Sequence, residues 1–166
     1  MWNHEEFNQF LQRHIHTVYR TALGFLRNPA DAEDITQTVF LQAFQKHPVF
    51  ENEAHEKYWL IRVTINACKK LCRLPWRREV PTAELTGTFV FDSPRHCSLF
   101  ETVMDLPRLY RVPLLLFYYE GYSTREISEI LNIPSATVRT RLARGRHALK
   151  TILTEEATSD ESTFVS

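Results

Sequence analysis

The sequence has little of what most enzymes need for chemistry. It contains only 4 glycines in 166 residues, and none of them belongs to a glycine-rich phosphate-binding loop. It also offers no adjacent nucleophile and base, and no array of metal ligands at a regular interval. We therefore expect a protein that is not an enzyme and that uses no cofactor, no metal and no small-molecule substrate.

Signals for secretion or membrane insertion are also missing. The N-terminus, MWNHEEFNQF, lacks the basic start and apolar run of a signal peptide. The longest apolar stretch, Val112 to Tyr119, is far too short to span a bilayer. The 3 cysteines follow no disulfide-framework spacing, which fits a reducing compartment. The sequence thus predicts a cytoplasmic protein.

Net charge is absent as well, because 20 Lys and Arg residues balance 20 Asp and Glu residues. The balance hides an uneven distribution. The tail at 154–166 contains acidic residues but no Lys or Arg, whereas basic residues cluster at 69–78 and 139–150. The body of the protein is therefore net basic, which permits a nucleic-acid partner. The polar, acidic tail at 154–166 is predicted to be disordered.

Helical periodicity dominates the rest of the chain. Amphipathic helices are predicted over 5–27, 30–46 and 55–73. Between 74 and 98 the periodicity is lost, and prolines, a glycine and small polar residues predict a linker. The predicted fold is all-α, with two small helical domains joined by a flexible linker and a helix-turn-helix in the second domain.

The second and third helices carry polar surfaces with two interpretations each. Asp31, Glu33 and Asp34 would either stabilise the positive end of the helix dipole or form a docking face for a basic partner. In the third helix an apolar stripe lies beside a polar stripe at the same interval, and the polar stripe could meet phosphates or base edges. Its members are Arg62, Asn66, Lys69 and Arg73.

Cysteines in the third helix raise the question of a metal site. Cys68 and Cys72 could by spacing share a metal with His96 and Cys97. A buried thiol pair is favoured instead, because no further ligand lies at a zinc-finger interval.

The stretch 120–150 predicts two short helices separated by a tight turn. Ser123 followed by Glu126 forms a capping box at the start of the first helix. Pro134 ends that helix, and Ser135 can cap the next one. The helix that follows Pro134 has an apolar inner stripe and an arginine-rich outer surface, which suits a DNA major groove. A solvated basic helix in an ordinary bundle is the alternative.

These segments, taken in order, resemble a known family. The motifs DAEDITQTVF at 31–40, YWLIRVTIN at 58–66 and TVRTRLARGR at 137–146 are similar to those of bacterial RNA polymerase sigma factors of the extracytoplasmic-function (ECF) type, which retain only regions 2 and 4. The resemblance implies a region 2 domain at 1–73, a linker at 74–98, a region 4 domain at 99–153 and the tail at 154–166. Gly145, where relatives often carry alanine, and Pro113 depart from the family pattern.

The resemblance also implies which residues bind which partner. Core RNA polymerase would dock on the second helix, through Asp31, Glu33, Asp34, Gln37 and Phe40. The −10 promoter element would be opened by the third helix and the loop before it, through Phe50, Trp59, Arg62, Asn66, Lys69, Lys70 and Arg73. The −35 element would be recognised by the last helix, through Ser135, Thr137, Arg139, Thr140, Arg141 and Arg144.

The function that the resemblance implies is promoter-directed transcription initiation. The chain would bind core RNA polymerase and direct it to specific promoter DNA, and an anti-sigma factor is a further partner implied by the family. A stand-alone helix-turn-helix transcriptional regulator is the alternative, which would bind duplex DNA without polymerase.

Overall fold

A computed structural model describes residues 1–75, Glu79 and 94–164, with side chains in 1–75, at Glu79 and in 99–155. Every regular element among these described residues is an α-helix. The chain divides into two compact units, Met1–Val90 and Phe91–Ser166. The predicted all-α fold with two helical domains is confirmed. Most of the predicted linker at 74–98 lies outside the described residues, so its flexibility stays a prediction.

The first unit contains three helices, which are α1 (His4–Leu26), α2 (Pro29–Lys46) and α3 (Glu53–Cys72). Each begins after an asparagine whose side chain accepts a backbone N–H of the first turn, and these asparagines are Asn3, Asn28 and Asn52. An asparagine at this position satisfies an amide that would otherwise lack a partner. The three helices predicted over 5–27, 30–46 and 55–73 are thus confirmed, with ends shifted by one or two residues.

The core of the first unit forms where α1 packs against both α2 and α3. Its fully buried side chains come from the apolar stripe of each helix and include Phe10, Val18, Leu23, Val39, Ile61 and Ile65. Burial of such side chains supplies most of the favourable free energy of folding. The unit therefore holds α2 and α3 rigidly, with one polar face of each directed outward.

The second unit contains α4 (Pro94–Met104), α5 (Arg108–Tyr118), α6 (Thr124–Leu131) and α7 (Ser135–Phe164). Helix α4 begins within the stretch that the sequence assigns to the linker. Helix α7 continues through most of the tail that is predicted to be disordered. The physical reason is that the chain after Gly145 contains neither proline nor glycine, so nothing in the sequence stops the helix.

Both ends of α6 have the capping residues that the sequence predicts. The Ser123 hydroxyl accepts the Glu126 N–H, and the Glu126 carboxylate accepts the Ser123 N–H, so the predicted capping box is confirmed. Helix α6 ends at Leu131, and Asn132 caps it in the left-handed conformation (φ 56°). Asparagine tolerates this conformation better than most residues. The short turn then leads directly into α7.

Close approach of α5 and α7 depends on Gly145. A Cβ atom added at Gly145 would lie 2.8 Å from Leu114 Cδ1 and 3.3 Å from Tyr110 Cβ. The absence of a side chain therefore brings the two helix backbones together. Pro113 lies inside α5, yet the helix is continuous from Arg108 to Tyr118.

One charged side chain is fully buried in the second unit. Arg111 has no solvent exposure, and its Nη1 donates to the Leu106 carbonyl at 3.0 Å. The guanidinium thus ties α5 to the turn that precedes it. A buried charge is tolerated only where hydrogen bonds or opposite charge compensate the lost hydration.

Candidate nucleic-acid and protein interfaces

The outer face of α2 carries acidic, polar and apolar side chains together. Asp34, Gln37 and Leu41 follow one another at intervals of three and four residues, so they share this face. Glu33 is exposed at its edge, whereas Asp31 is half-buried in the first turn, where its N–H donates to Asn28. This arrangement offers carboxylates, an amide and an exposed leucine to a partner.

Phe40, which the resemblance assigns to polymerase docking, packs in the core of the free chain and does not lie on this face. Phe40 is only 4% exposed and its ring lies 5.9 Å from that of Phe10 in the core. Its neighbour Leu41 is 57% exposed and lies one turn after Gln37 on the outer face. Phe44, one turn later, is also exposed at one edge while it contacts Phe7. Helical phase could have identified both residues, since Leu41 and Phe44 fall off the buried stripe.

The loop between α2 and α3 holds an aromatic cluster. Phe50 stacks on Phe10 with ring centroids 5.9 Å apart and an interplanar angle of 14°. Trp59 contacts the same Phe50 ring edge-on at 5.7 Å. Both Phe50 and Trp59 are half-buried, so each keeps part of its ring surface accessible. The structure thus brings these two predicted site residues into direct contact.

A hydrogen bond from His14 and an ion pair from Arg13 connect α1 to the start of α3 through Glu56. The His14 Nε2 lies 2.7 Å from Glu56 Oε2, and Arg13 Nη2 lies 3.1 Å from both carboxylate oxygens of Glu56. Because Glu56 is in the first turn of α3, these contacts hold the helix start and the preceding loop in place. The sequence gives no signal for this pairing, since the partners are more than 40 residues apart.

The polar stripe of α3 is accessible along its length. Arg62, Asn66, Lys70 and Arg73 are exposed, and Lys69 is half-buried between them. Burial lowers the pKa of Lys69, and the nearby Arg73 charge lowers it further. The Arg62 guanidinium lies 5.8 Å from the Tyr58 ring centroid, where the aromatic face attracts a cation. The stripe therefore presents a dense positive surface that an anion would stabilise.

The predicted contacts of α7 do not form one patch. Thr137, Thr140, Arg141 and Arg144 line a cleft of about 380 Å³ between α7 and the start of α5. Arg139 is exposed but lies about 160° around the helix from Arg141, since successive residues turn by about 100°. Arg139 therefore belongs to the opposite flank of the helix. Ser135, the sixth predicted residue, is half-buried at the helix start.

Basic residues further along α7 have a different environment. The Arg146 Nε donates to the Tyr118 hydroxyl at 2.6 Å, and its guanidinium lies 5.4 Å from the Phe117 ring centroid. These contacts direct Arg146 toward α5. It lines a second, largely apolar cavity of about 520 Å³ with Lys150 and with residues of α4 and α5, including Val103 and Leu114.

No group of three or more possible metal-ligating side chains occurs among the described residues. Cys68 is buried and Cys72 half-buried, and both are free thiols. The side chains of His96 and Cys97, the other candidate ligands, lie outside the described residues. Among the described residues, no helix has the length and apolar character needed to cross a membrane.

Both units match models of known families. The family model "Sigma-70 region 2" matches residues 10–78, and "Sigma-70, region 4" matches residues 98–149. The first match covers α2, α3 and the loop between them, and the second covers α5, α6 and the first half of α7. The predicted site residues of α2, α3 and α7 therefore lie within the two matched regions, and Lys150 lies just beyond the second.

Individual relatives cover most of the chain. The "ECF RNA polymerase sigma factor SigW" of Bacillus subtilis is 31% identical over 151 residues, which span 80% of this chain and 81% of the relative. The "ECF RNA polymerase sigma factor SigM" of Mycobacterium tuberculosis is 30% identical over 152 residues, which span 89% of this chain and 76% of the relative.

Solved structures with a similar fold include two complexes. The sigma factor RpoE of Bartonella quintana, solved with the anti-sigma factor NepR, has a TM-score of 0.68 at 21% identity, with 90% of this chain and 98% of that chain covered. CnrH, solved with the cytosolic domain of CnrY, has a TM-score of 0.63 at 25% identity, with 92% of this chain and 90% of that chain covered.

Proposed function

The chain belongs to the ECF class of RNA polymerase sigma factors, which bind core polymerase and direct it to promoters, and on this premise we propose how its two units divide that work. Residues 1–73 form the domain that docks on polymerase and opens the −10 element. Residues 99–153 form the domain that recognises the −35 element. Residues 74–98 connect them. Because region 2 matches residues 10–78, a stand-alone regulator is disfavoured.

The docking surface is the outer face of α2. Asp34, Gln37 and Leu41 support this assignment, because they are exposed on one face of a helix that the core holds rigidly. Carboxylates favour a basic partner surface, and an exposed leucine gives the apolar anchor that a stable interface needs. Phe40 supports the face from beneath by packing in the core.

The −10 element is held by two adjoining surfaces of the first unit. The α3 stripe of Arg62, Asn66, Lys69 and Arg73 supplies positive charge for the strand backbone. The Phe50–Trp59 cluster supplies aromatic surface for an unstacked base. Extruding a base costs a few kcal/mol, and stacking on an aromatic side chain returns about 1–3 kcal/mol per base. The two surfaces together therefore offset the cost of opening the element.

The −35 element is recognised by the first half of α7. Thr137, Thr140 and Arg144 are accessible on its outer surface, and Arg139 and Arg141 occupy its two flanks. Arginine forms bidentate hydrogen bonds with guanine edges, whereas hydroxyls and helix N-terminal amides bind phosphates. An α-helix with both flanks basic fits a major groove bounded by two phosphate strands.

An anti-sigma factor is a further partner. The apolar cavity between α4, α5 and α7, with Arg146 and Lys150 among its lining residues, suits an apolar side chain flanked by acidic ones. The protein acts in the cytoplasm, where promoter DNA and polymerase are found. It contributes binding surfaces and not a chemical step, which polymerase supplies.

The observation that carries the proposal is the match of both sigma regions to units that expose suitable surfaces. Run-off transcription with purified core polymerase on a library of promoter fragments tests it. Specific transcripts that require the chain are expected, and their start sites give the promoter sequence. Sequence-specific binding to duplex DNA without any transcript would overturn the proposal in favour of the stand-alone regulator.

A further inference from the structure

The cleft beside α7 is lined by two elements, and only one of them belongs to the helix-turn-helix. Thr137, Arg141 and Arg144 come from α7, whereas Leu109 and Tyr110 come from the start of α5. Leu109 is 48% exposed, although most of the apolar side chains that follow it in α5 are buried. An exposed leucine inside a basic cleft is not required by the packing of the unit.

The position of the cleft matches the position of a DNA strand. When a recognition helix lies in a major groove about 12 Å wide, the sugar-phosphate strands that border the groove run along the flanks of the helix. The cleft follows the flank of α7 that carries Arg141, and Arg144 lines it from the outer surface of the helix. Among the described residues that line it none is acidic, so the cleft is complementary in charge to a phosphate strand.

The geometry of Gly145 explains why the start of α5 lies beside this flank of α7. Because Gly145 has no side chain, the backbone of α7 lies close to Leu114 and to Tyr110 Cβ. The beginning of α5 is thereby held beside the first half of α7, within the reach of one strand. A bulkier residue at 145 would move Leu109 away from the flank.

We propose that Leu109 at the start of α5 is a further promoter-contacting residue, which packs against a deoxyribose of the −35 strand that occupies the cleft. Arg141 and Arg144 bind the phosphates of the same strand. The contact is apolar and carries no base information, so Leu109 contributes equally on different promoter sequences. This inference rests on the proposed role of α7 in −35 recognition.

Replacing Leu109 by arginine gives a test in which binding is expected to increase. Leu109→Arg adds one phosphate contact, which steepens the slope of log Kobs against log salt by about 0.9. Leu109→Glu places a carboxylate beside the strand and should weaken binding. The measurement is fluorescence anisotropy of a labelled promoter duplex with purified holoenzyme, at several salt concentrations and at a temperature that keeps the duplex closed.

Leu153→Arg is the matched control. Leu153 is 43% exposed in the same unit, and the change adds the same charge on α7 outside the cleft. A steeper slope for Leu109→Arg but not for Leu153→Arg supports the inference. Equal slopes for the two variants, or a Leu109→Arg slope equal to wild type, would overturn it. Leu109→Lys repeats the test if the arginine variant does not fold.

Failure of this inference is distinguishable from failure of the proposed function. If wild-type holoenzyme binds promoter duplex specifically and Leu109→Arg leaves the salt slope unchanged, only the role of Leu109 is refuted. If wild-type holoenzyme shows no specific binding, the role of α7 itself is refuted, and the inference falls with it.

Discussion

Leu41 gives the sharpest test of the polymerase-docking face. It is 57% exposed in the free chain and lies one turn after Gln37 on the outer surface of α2. Leu41→Ala removes the apolar anchor of that face while it leaves the core intact. We expect weaker binding of core polymerase with an unchanged fold.

The size of the effect follows from the exposed area. Complete burial of a leucine side chain contributes about 1.5–3 kcal/mol. Because Leu41 is 57% exposed, docking can bury only that share, which is worth about 0.9–1.7 kcal/mol. At about 1.4 kcal/mol per factor of ten, the Kd should rise about four- to sixteen-fold. Truncation of an exposed side chain should change the free energy of unfolding by less than about 0.5 kcal/mol.

The assay is a titration of fluorescently labelled chain with core polymerase, together with urea unfolding of the free chain. Leu74→Ala is the control, because Leu74 is also exposed, at 37%, and follows the end of α3. Asp34→Lys in parallel should weaken binding most at low salt, because screening removes a charge interaction. The effect of Leu41→Ala should change little with salt.

Two results would refute this reasoning. A Kd for Leu41→Ala within twofold of wild type would remove Leu41 from the docking face. A large loss of stability would show that Leu41 supports the unit itself, as Phe40 does. Phe40→Ala provides the contrast, since it empties a core site and should cost about 3–5 kcal/mol of unfolding free energy.

Three further predictions concern other parts of the chain. Arg111→Ala should lower the unfolding free energy of the second unit by about 1–3 kcal/mol, because the Leu106 carbonyl loses its donor, measured by far-UV circular dichroism in urea; a loss below about 0.5 kcal/mol would contradict its structural role. Gly145→Val should lower the Tm through overpacking against Leu114, which costs about 1–3 kcal/mol, and Gly145→Ala should lower it less. Equal Tm values for the variants and the wild type would show that α5 moves away from α7 without a loss of stability. Because burial and Arg73 lower the pKa of Lys69, promoter affinity should fall with pH in the alkaline range as Lys69 loses its proton. Lys69→Arg should abolish that fall, and an identical pH profile in the variant would remove Lys69 from the −10 surface.

Local signals in the sequence predicted the helices and their ends well. The capping box of Ser123 and Glu126, the stop at Asn132 and the start of α7 depend only on neighbouring residues, so they could be identified without tertiary information. The tail is the exception. Its composition predicts disorder, whereas the structure continues α7 to Phe164 because no proline or glycine interrupts it.

The sequence was less informative about which residues of each site are exposed, because exposure depends on the exact rotation of each helix and on its neighbours in space. Val39, Phe40 and Leu41 are three consecutive apolar residues, and a slip of one position, about 100°, exchanges the buried and exposed members. The flank to which Arg141 belongs depends on α5, which packs beside it in space and not in sequence. Arginine is usually an exposed residue type, so the sequence gives no reason to place Arg111 in the core. Its burial and its bond to the Leu106 carbonyl become visible only in the structure.

The contact between Trp59 and Phe50 gives the protein a built-in optical reporter. Trp59 lies edge-on to the ring that stacks on Phe10, so its emission depends on whether that ring stays in place. If a promoter base displaces Phe50, the surroundings of Trp59 change without any attached dye. With Trp2 and Trp76 replaced by phenylalanine, the fluorescence of Trp59 alone then follows promoter opening in real time.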